Sequence, residues 1–309
     1  MTTDTGGEAR AAATQTGGAT DDGQALVHPE ARRRQRLKSI QWWGLSGLLV
    51  LVILVGALGP TLYGVDPLSQ SLSDRLLPPL GTGSDGRLLL LGADPVGRDT
   101  LARILVGVRI SIIVAVVSVL LGGAVGSLLG LISGFAGGWL DSVIMRLVDV
   151  QMSIPFLVFA MILSAILGPG LVNTIIALGV TSWVIYARVV RSEVLSLRSR
   201  DYVDSAKALG ASTPRVVLRH IFPNVVNNLT VVATLEIGRM ILVEASLSFI
   251  GLGIQPPDPS LGSMVARGQA YVFSEWWISA IPGAVIMLVV LVFVLFGDAL
   301  RDRLDPKLR

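Results

Sequence analysis

The sequence predicts an all-α polytopic membrane protein with six transmembrane helices. Three observations predict it. Apolar residues make up 52% of the 309-residue chain and charged residues only 15%, against roughly 25% charged in a soluble domain. The apolar residues fall into six runs near the length a helix needs to cross a bilayer core, about 20 residues. Lysine and arginine are unevenly shared between the segments that join those runs.

The elements follow in order. Residues 1–38 are expected to form a cytoplasmic tail, disordered over 1–30 where no apolar periodicity occurs. Arg32, Arg33, Arg34, Arg36 and Lys38 stand directly before the first apolar run. They fit a topology anchor; nucleic-acid binding is the other reading, with no groove-reading pattern beside the charges. The first apolar run starts near residue 40 and is too long for the core of a signal peptide. The first span occupies 39–66, with its apolar centre at 41–62 opened by Trp42 and Trp43. Residues 67–106 read as an extracytoplasmic loop ending in an interfacial helix, along which Arg98, Arg103 and Arg109 snorkel towards head groups. Residues 107–300 hold spans near 107–134, 144–167, 171–191, 223–250 and 276–297, and 301–309 is a cytoplasmic end.

Six spans put both termini on one side. With that side taken as cytoplasmic, the inner segments carry 17 Lys and Arg and the outer segments 6, which favours both ends inside.

Within the spans, Gly122, Gly126, Gly130 and Gly134 form a four-residue ladder on one helix face. It suits close helix packing, or a pore-lining face with a moving neighbour. Pro155 and Pro282 interrupt the helical ladder as fixed kinks or hinges. Glu236 and Arg239 are three apart and can meet on one helix face. They read as a neutralised structural pair or as part of a polar path, because charge at membrane depth faces a bundle interior or a wet cavity. Asn224, Asn227 and Asn228 add polarity at the inner end of the same span, and Glu244 falls near its outer end.

The segment from Arg188 to Pro223 leaves the membrane, stays polar and re-enters. Residues 201–209 have the pattern of a short amphipathic helix with Asp201 and Asp204 in its first turns, where the helix dipole favours negative charge. Ser205, Ala206 and Ala208 are small enough for docking into a partner's groove. Gly210 ends the helix and Pro223 suits the first turn of the next.

This segment resembles the coupling loop of bacterial ABC importer permeases. There the pattern is Glu-Ala-Ala, three residues, Gly, and an apolar-x-Leu-Pro about ten residues on; here it falls on Asp204-Ser205-Ala206, Gly210 and Phe222-Pro223. Asp for Glu, Ser for the first Ala and Phe for Leu are departures from it. Gly92-Ala93-Asp94-Pro95-Val96-Gly97-Arg98-Asp99 resembles the Gly-Thr-Asp-x-x-Gly-Arg-Asp stretch of dipeptide and oligopeptide permeases. Similar likeness extends over Gly137–Asp141, Met145–Asp149, Glu244–Gly253 and Gly297–Pro306, so that it covers about 40–306. The combined set is similar to the second, C-type permease subunit of the peptide and nickel branch.

The resemblance implies a permease core of five spans, 107–300 here, with one added N-terminal span. It also implies two permeases around one pathway, two ATPase subunits beneath them and an extracytoplasmic binding protein that delivers substrate. It places ATPase coupling on a helix at 200–212, with Tyr202, Asp204, Ser205, Ala206, Gly210 and Pro223, and ATP with Mg on the partner subunits. Glu236, Arg239 and Asn228 are the candidate pathway residues. The residues themselves agree on one point. Lys38, Lys207 and Lys307 follow Leu37, Ala206 and Pro306, so none has the Gly-Lys-Ser/Thr form of a phosphate-binding loop. Cysteine is absent and histidine is limited to His28 and His220, so neither a thiolate nor a histidine-rich metal site is expected. Nickel chelates, another small solute, or an ion-coupled transporter remain alternatives to peptide import. An intramembrane enzyme lacks a visible nucleophile–base or metal-ligand set.

Overall fold

The computed structural model describes residues 29–201, 212–216, 219 and 221–304. The chain divides into two units, Met1–Ile40 and Gln41–Arg309. Of the tail expected over 1–38, residues 1–28 lie outside the described residues, and 29–38 are helical. Helix α1 runs Pro29–Tyr63: proline suits a first helical turn, and the Glu, Ala, Arg and Gln residues that follow are good helix formers.

From Gln41, α1 lies against α2 (Thr100–Ala136), with most of its apolar surface outward, as a lipid-facing helix requires. Gly56 and Gly59 permit the approach: a Cβ on Gly59 would come within 2.9 Å of Leu105 Cδ2. The loop between the two helices folds into a small cap. It holds a 3-10 turn, Leu72–Asp74, and a hairpin of β1 (Gly81–Thr82) and β2 (Leu88–Leu89), paired Gly81 with Leu89 and Thr82 with Leu88. Hydrogen bonds from the Ser71 hydroxyl and then from Ser84 hold the Asp74 carboxyl below its ordinary pKa. At Gly97, φ is +76° and a Cβ would overlap the Ser71 carbonyl, so only glycine closes the cap.

No separate interfacial helix precedes α2 among the described residues, contrary to the expectation for 67–106. Asp99 caps α2 by accepting the Ala102 N–H at 3.0 Å, so the helix starts at Thr100 and already contains Arg103 and Arg109. Arg109 is exposed, but Arg98 and Arg103 are buried and do not snorkel.

Gly137 and Gly138, with φ +65° and +58°, turn the chain from α2 into α3 (Gly138–Met152). The span expected over 144–167 is two helices. α3 and α4 (Phe156–Leu167) meet at 90°, because Pro155 has no N–H to continue the ladder. Helix α5 spans Leu171–Arg198. A single turn, Thr213–Val216, precedes α6, Phe222–Ile250, which has Pro223 in its first turn and ends on left-handed Gly251. Helices α7 (Leu261–Gly268) and α8 (Trp277–Leu304) complete the bundle, and Pro282 lies within the unbroken α8.

By length and composition four helices qualify as spans: α1 from Gln41, α2, α5 and α8. The bent α3–α4 pair makes a fifth. The sixth expected span, α6, has 29 residues, about 43 Å at 1.5 Å per residue. Glu236, Arg239 and Glu244 dilute its apolar character, and it packs among α2, α5, α7 and α8. Val114, Leu178, Met240, Ile241, Leu247 and Leu261 form the shared core of these helices.

The α2–α5 pairing is the most extensive. The glycine ladder faces it. A Cβ on Gly122 would overlap Ser182 Oγ and one on Gly126 the Trp183 carbonyl; on Gly130 and Gly134 the nearest atoms lie at 2.6 Å (Ala187 O) and 2.8 Å (Val194 Cβ). Gly123, beside them, has only ordinary contact with Tyr186 at 3.7 Å. Gly126→Ala should therefore destabilise the chain by about 1–3 kcal/mol while Gly123→Ala is neutral. Thermal unfolding in detergent measures both, and equal melting of the two variants would remove the ladder from the packing account.

Candidate functional site

Three polar constellations distinguish the bundle. The first fixes the C-terminal end of α5, from which the chain enters residues 199–212. Arg191 Nε and Nη2 bind Asp141 Oδ1 and Oδ2 at 2.5 and 2.7 Å, and Ser133 Oγ donates to the same carboxylate. Arg188 Nη2 reaches Asp149 at 2.8 Å. Two turns beyond Arg191, Arg198 donates to the Phe135 carbonyl at 2.9 Å and lies over the Phe135 ring. Beneath these, Val190, Val194 and Leu197 of α5 pack with Val216, Ile221 and Val225. Both approaches to the segment are thus held by one apolar cluster. The bidentate arginine fork fixes α5 to the first turn of α3 in direction as well as distance.

The expected coupling residues Tyr202, Asp204, Ser205, Ala206 and Gly210 lie outside the described residues. Pro223 is exposed at the start of α6.

The second constellation lies at the α3–α4 bend. Glu236 Oε2 accepts from Arg239 Nη2 at 2.6 Å, and the guanidinium stacks over Phe156, 4.0 Å from the ring centre. Arg239 lines a cavity of about 190 Å³ with Gln151, Pro155, Phe159, Thr181 and Ile185. Gln151 bridges α3 to α5, donating to the Thr181 carbonyl at 2.8 Å and accepting from Trp183 Nε1 at 2.9 Å. The pair and the cavity therefore coexist: Glu236 is buried and Arg239 is 37% exposed along its side chain. Asn228, two turns before Glu236 on α6, donates to Glu193 at 2.7 Å on the exposed surface.

Removing Arg239 alone leaves a buried carboxylate without its cation, so Arg239→Leu should cost more stability than the double variant with Glu236→Gln. The coupling expected in a double-mutant cycle is about 1–3 kcal/mol, and strictly additive losses would show that the two charges act separately.

The third constellation surrounds Glu244, which is fully buried. Ser111 Oγ donates to its Oε2 at 2.7 Å, and Ser248 and Ser260 donate to Oε1 at 2.8 and 3.1 Å.

A family model described as "Binding-protein-dependent transport system inner membrane component" matches residues 126–309, more than half of the chain. The chain belongs to that family. This inner-membrane component is 44% identical over 260 residues to a probable D,D-dipeptide transport system permease protein of Escherichia coli, covering 84% of this chain and 85% of the relative. It is 41% identical to the dipeptide transport system permease of Haemophilus influenzae, covering 84% and 88%. Its fold is that of a subunit of the MetNI methionine ABC transporter in an inward-facing form, with TM-score 0.55 and 18% identity over 65% of this chain and 96% of that one.

The family match begins within the glycine ladder and takes in all three constellations except Ser111. In this inner-membrane component the sequence showed Asp141 and Asp149 only as motif matches, and Arg188 and Arg191 only as positive charge near a membrane face. Their pairing across 50 and 39 residues carries no periodic signal. The opposed charges of Gly137–Asp149 and Arg188–Arg198 were the available hint.

Proposed function

We propose that the chain is one of two permease subunits of an ATP-driven peptide importer, with both termini cytoplasmic. The observation that carries this reading is similarity over 84% of the chain to relatives named as dipeptide permeases. Peptide is favoured over a nickel chelate on the same ground. The pathway runs along α6 past Glu236, Arg239 and Asn228. Residues 200–212 dock on ATPase subunits that hold ATP and Mg, through Tyr202, Asp204, Ser205, Ala206 and Gly210, with Pro223 setting the return into the membrane. An extracytoplasmic binding protein supplies the peptide. The fixed inner end of α5 supports this division of labour, since a docking segment transmits motion only if its base is rigid.

Mild-detergent capture of the tagged chain, followed by mass spectrometry, tests the assembly. Co-purification of a second permease and ATPase subunits is the expected result. Recovery of the folded chain alone across several detergents would favour an ion-coupled transporter. Gly210→Val tests the coupling assignment: if Gly210 ends the expected helix, a β-branched residue there opposes the turn that glycine makes cheaply, so peptide uptake should fall at least tenfold with insertion unchanged. Wild-type uptake by a normally assembled variant would remove Gly210 from the coupling set.

A further inference from the structure

The outer end of α2 gathers more positive charge than its carboxylates neutralise. Arg98 takes up Asp94, with Nε and Nη2 each 2.7 Å from Oδ2, while Oδ1 accepts the backbone N–H of Val96 and of Arg98 at 2.9 and 3.0 Å. Asp99 is occupied by Tyr63 at 2.7 Å and by the Ala102 N–H. Two more arginines approach the same place. Arg103 is 1% exposed; its Nε stands 3.7 Å from Asp94, and its Nη1 reaches only the Pro67 carbonyl at 3.4 Å. Arg267 of α7 is half-buried and has no salt bridge among the described residues. Burial, and then repulsion from Arg98, lower its pKa.

Two buried polar atoms here have no partner among the described residues, Arg103 Nη2 and Thr100 Oγ1. Thr100, like Arg103, is 1% exposed. Both residues line one small cavity of about 10 Å³ with Asp94 and Arg267, closed on the apolar side by Met264 and Ile278. An unsatisfied buried donor costs about 1–3 kcal/mol, and an uncompensated buried charge costs more.

We propose that this cradle binds a monatomic anion of chloride size, held by Arg103 Nη2 and Thr100 Oγ1 and faced by Arg267. Size selects the ligand class. The space is about that of one water-sized sphere; a chloride needs the side chains to give slightly, whereas a carboxylate, phosphate or sulfate needs several times the room. Charge selects an anion over water: a neutral molecule satisfies the two donors but leaves Arg103 and Arg267 sharing one carboxylate that Arg98 already binds. The bound anion would tie the 92–99 loop, the first turn of α2 and α7 into one outer unit.

The test uses the full chain purified in detergent with whatever subunits accompany it. Melting is followed while sodium chloride replaces sodium gluconate at constant ionic strength. A saturable rise of about 3–6 °C in chloride or bromide is expected. Arg267→Gln should flatten that response and Arg267→Lys should keep it. In crystals grown with bromide, an anomalous peak should lie between Thr100 Oγ1 and Arg103 Nη2. Identical melting in chloride and gluconate, or a chloride response that Arg267→Gln leaves intact, would overturn the proposal and assign the cradle to water.

Discussion

Replacing Glu244 by leucine should cost the chain about 3–5 kcal/mol, while glutamine at the same position costs about 1 kcal/mol or less. Leucine fits a buried helical site in bulk, so the loss is not one of packing. It comes from three serine hydroxyls, on Ser111, Ser248 and Ser260, that lose their only common acceptor. Each buried hydroxyl left without a partner costs roughly 1–3 kcal/mol. The damage spreads because the serines hold other parts in place. Ser248 Oγ also accepts the Ile254 N–H at 3.1 Å, and the Ser260 carbonyl accepts from Ser263 Oγ and from the Met264 N–H at 2.9 and 3.0 Å, where α7 begins. Glu244 thus anchors α2, α6 and the 251–260 loop at one point. Glutamine retains an acceptor oxygen, and a hydroxyl can rotate to receive its amide hydrogens. Thermal unfolding of both variants in detergent measures the difference. Near-equal melting of the leucine and glutamine forms would mean that the hydroxyls find other acceptors and that the carboxylate is dispensable.

How much of this was legible in the sequence depends on range. Elements with a local cause were legible: Pro155 marks an interruption, Pro223 a first helical turn, and the apolar runs mark the spans. The same local reasoning treated Pro155 as a kink within one span. It had no means of seeing that α4 turns away at 90°, because the direction a chain takes after a broken ladder is set by tertiary packing. The charges show the limit most clearly. Arg103 was expected at the head groups and is among the most buried side chains of the molecule. Sequence spacing along a helix gives the face of a residue, not whether a cap of loop residues such as 64–80 covers that face. Glu236 and Arg239 were legible as a pair because their contact is three residues long. Asp141 with Arg191, and Ser111 with Glu244, join residues 50 and 133 positions apart, and no one-dimensional pattern encodes such distances.

Arg191→Ala should lower uptake by the proposed importer at least tenfold while the chain still inserts and assembles. The argument is geometric. The guanidinium is 31% exposed and its carboxylate partner 20%, so screening limits the direct contribution of the ion pair to about 1 kcal/mol. A loss of that size leaves the bundle folded, because the α2–α5 glycine interface and the valine cluster beneath the pair remain. What is lost is orientation. The two parallel hydrogen bonds and Ser133 hold the first turn of α3 to both α2 and α5, and Arg188 with Asp149 is the only other salt bridge between α3 and α5 among the described residues. Without the fork, the first turn of α3 can shift against α5 although Arg188–Asp149 and Gln151 still hold the later turns, and the residues that follow Arg198 no longer share a rigid base with Val216 and Ile221. A force applied at 200–212 would then be absorbed locally and would not reach the cavity beside Arg239. The discriminating readout is ATP hydrolysis by the co-purified complex, which should continue in Arg191→Ala but lose its dependence on substrate-loaded binding protein. Arg191→Lys keeps the charge and loses the fork, so it should restore little. Full uptake in Arg191→Ala, or full rescue by lysine, would show that charge near this membrane face matters and its direction does not.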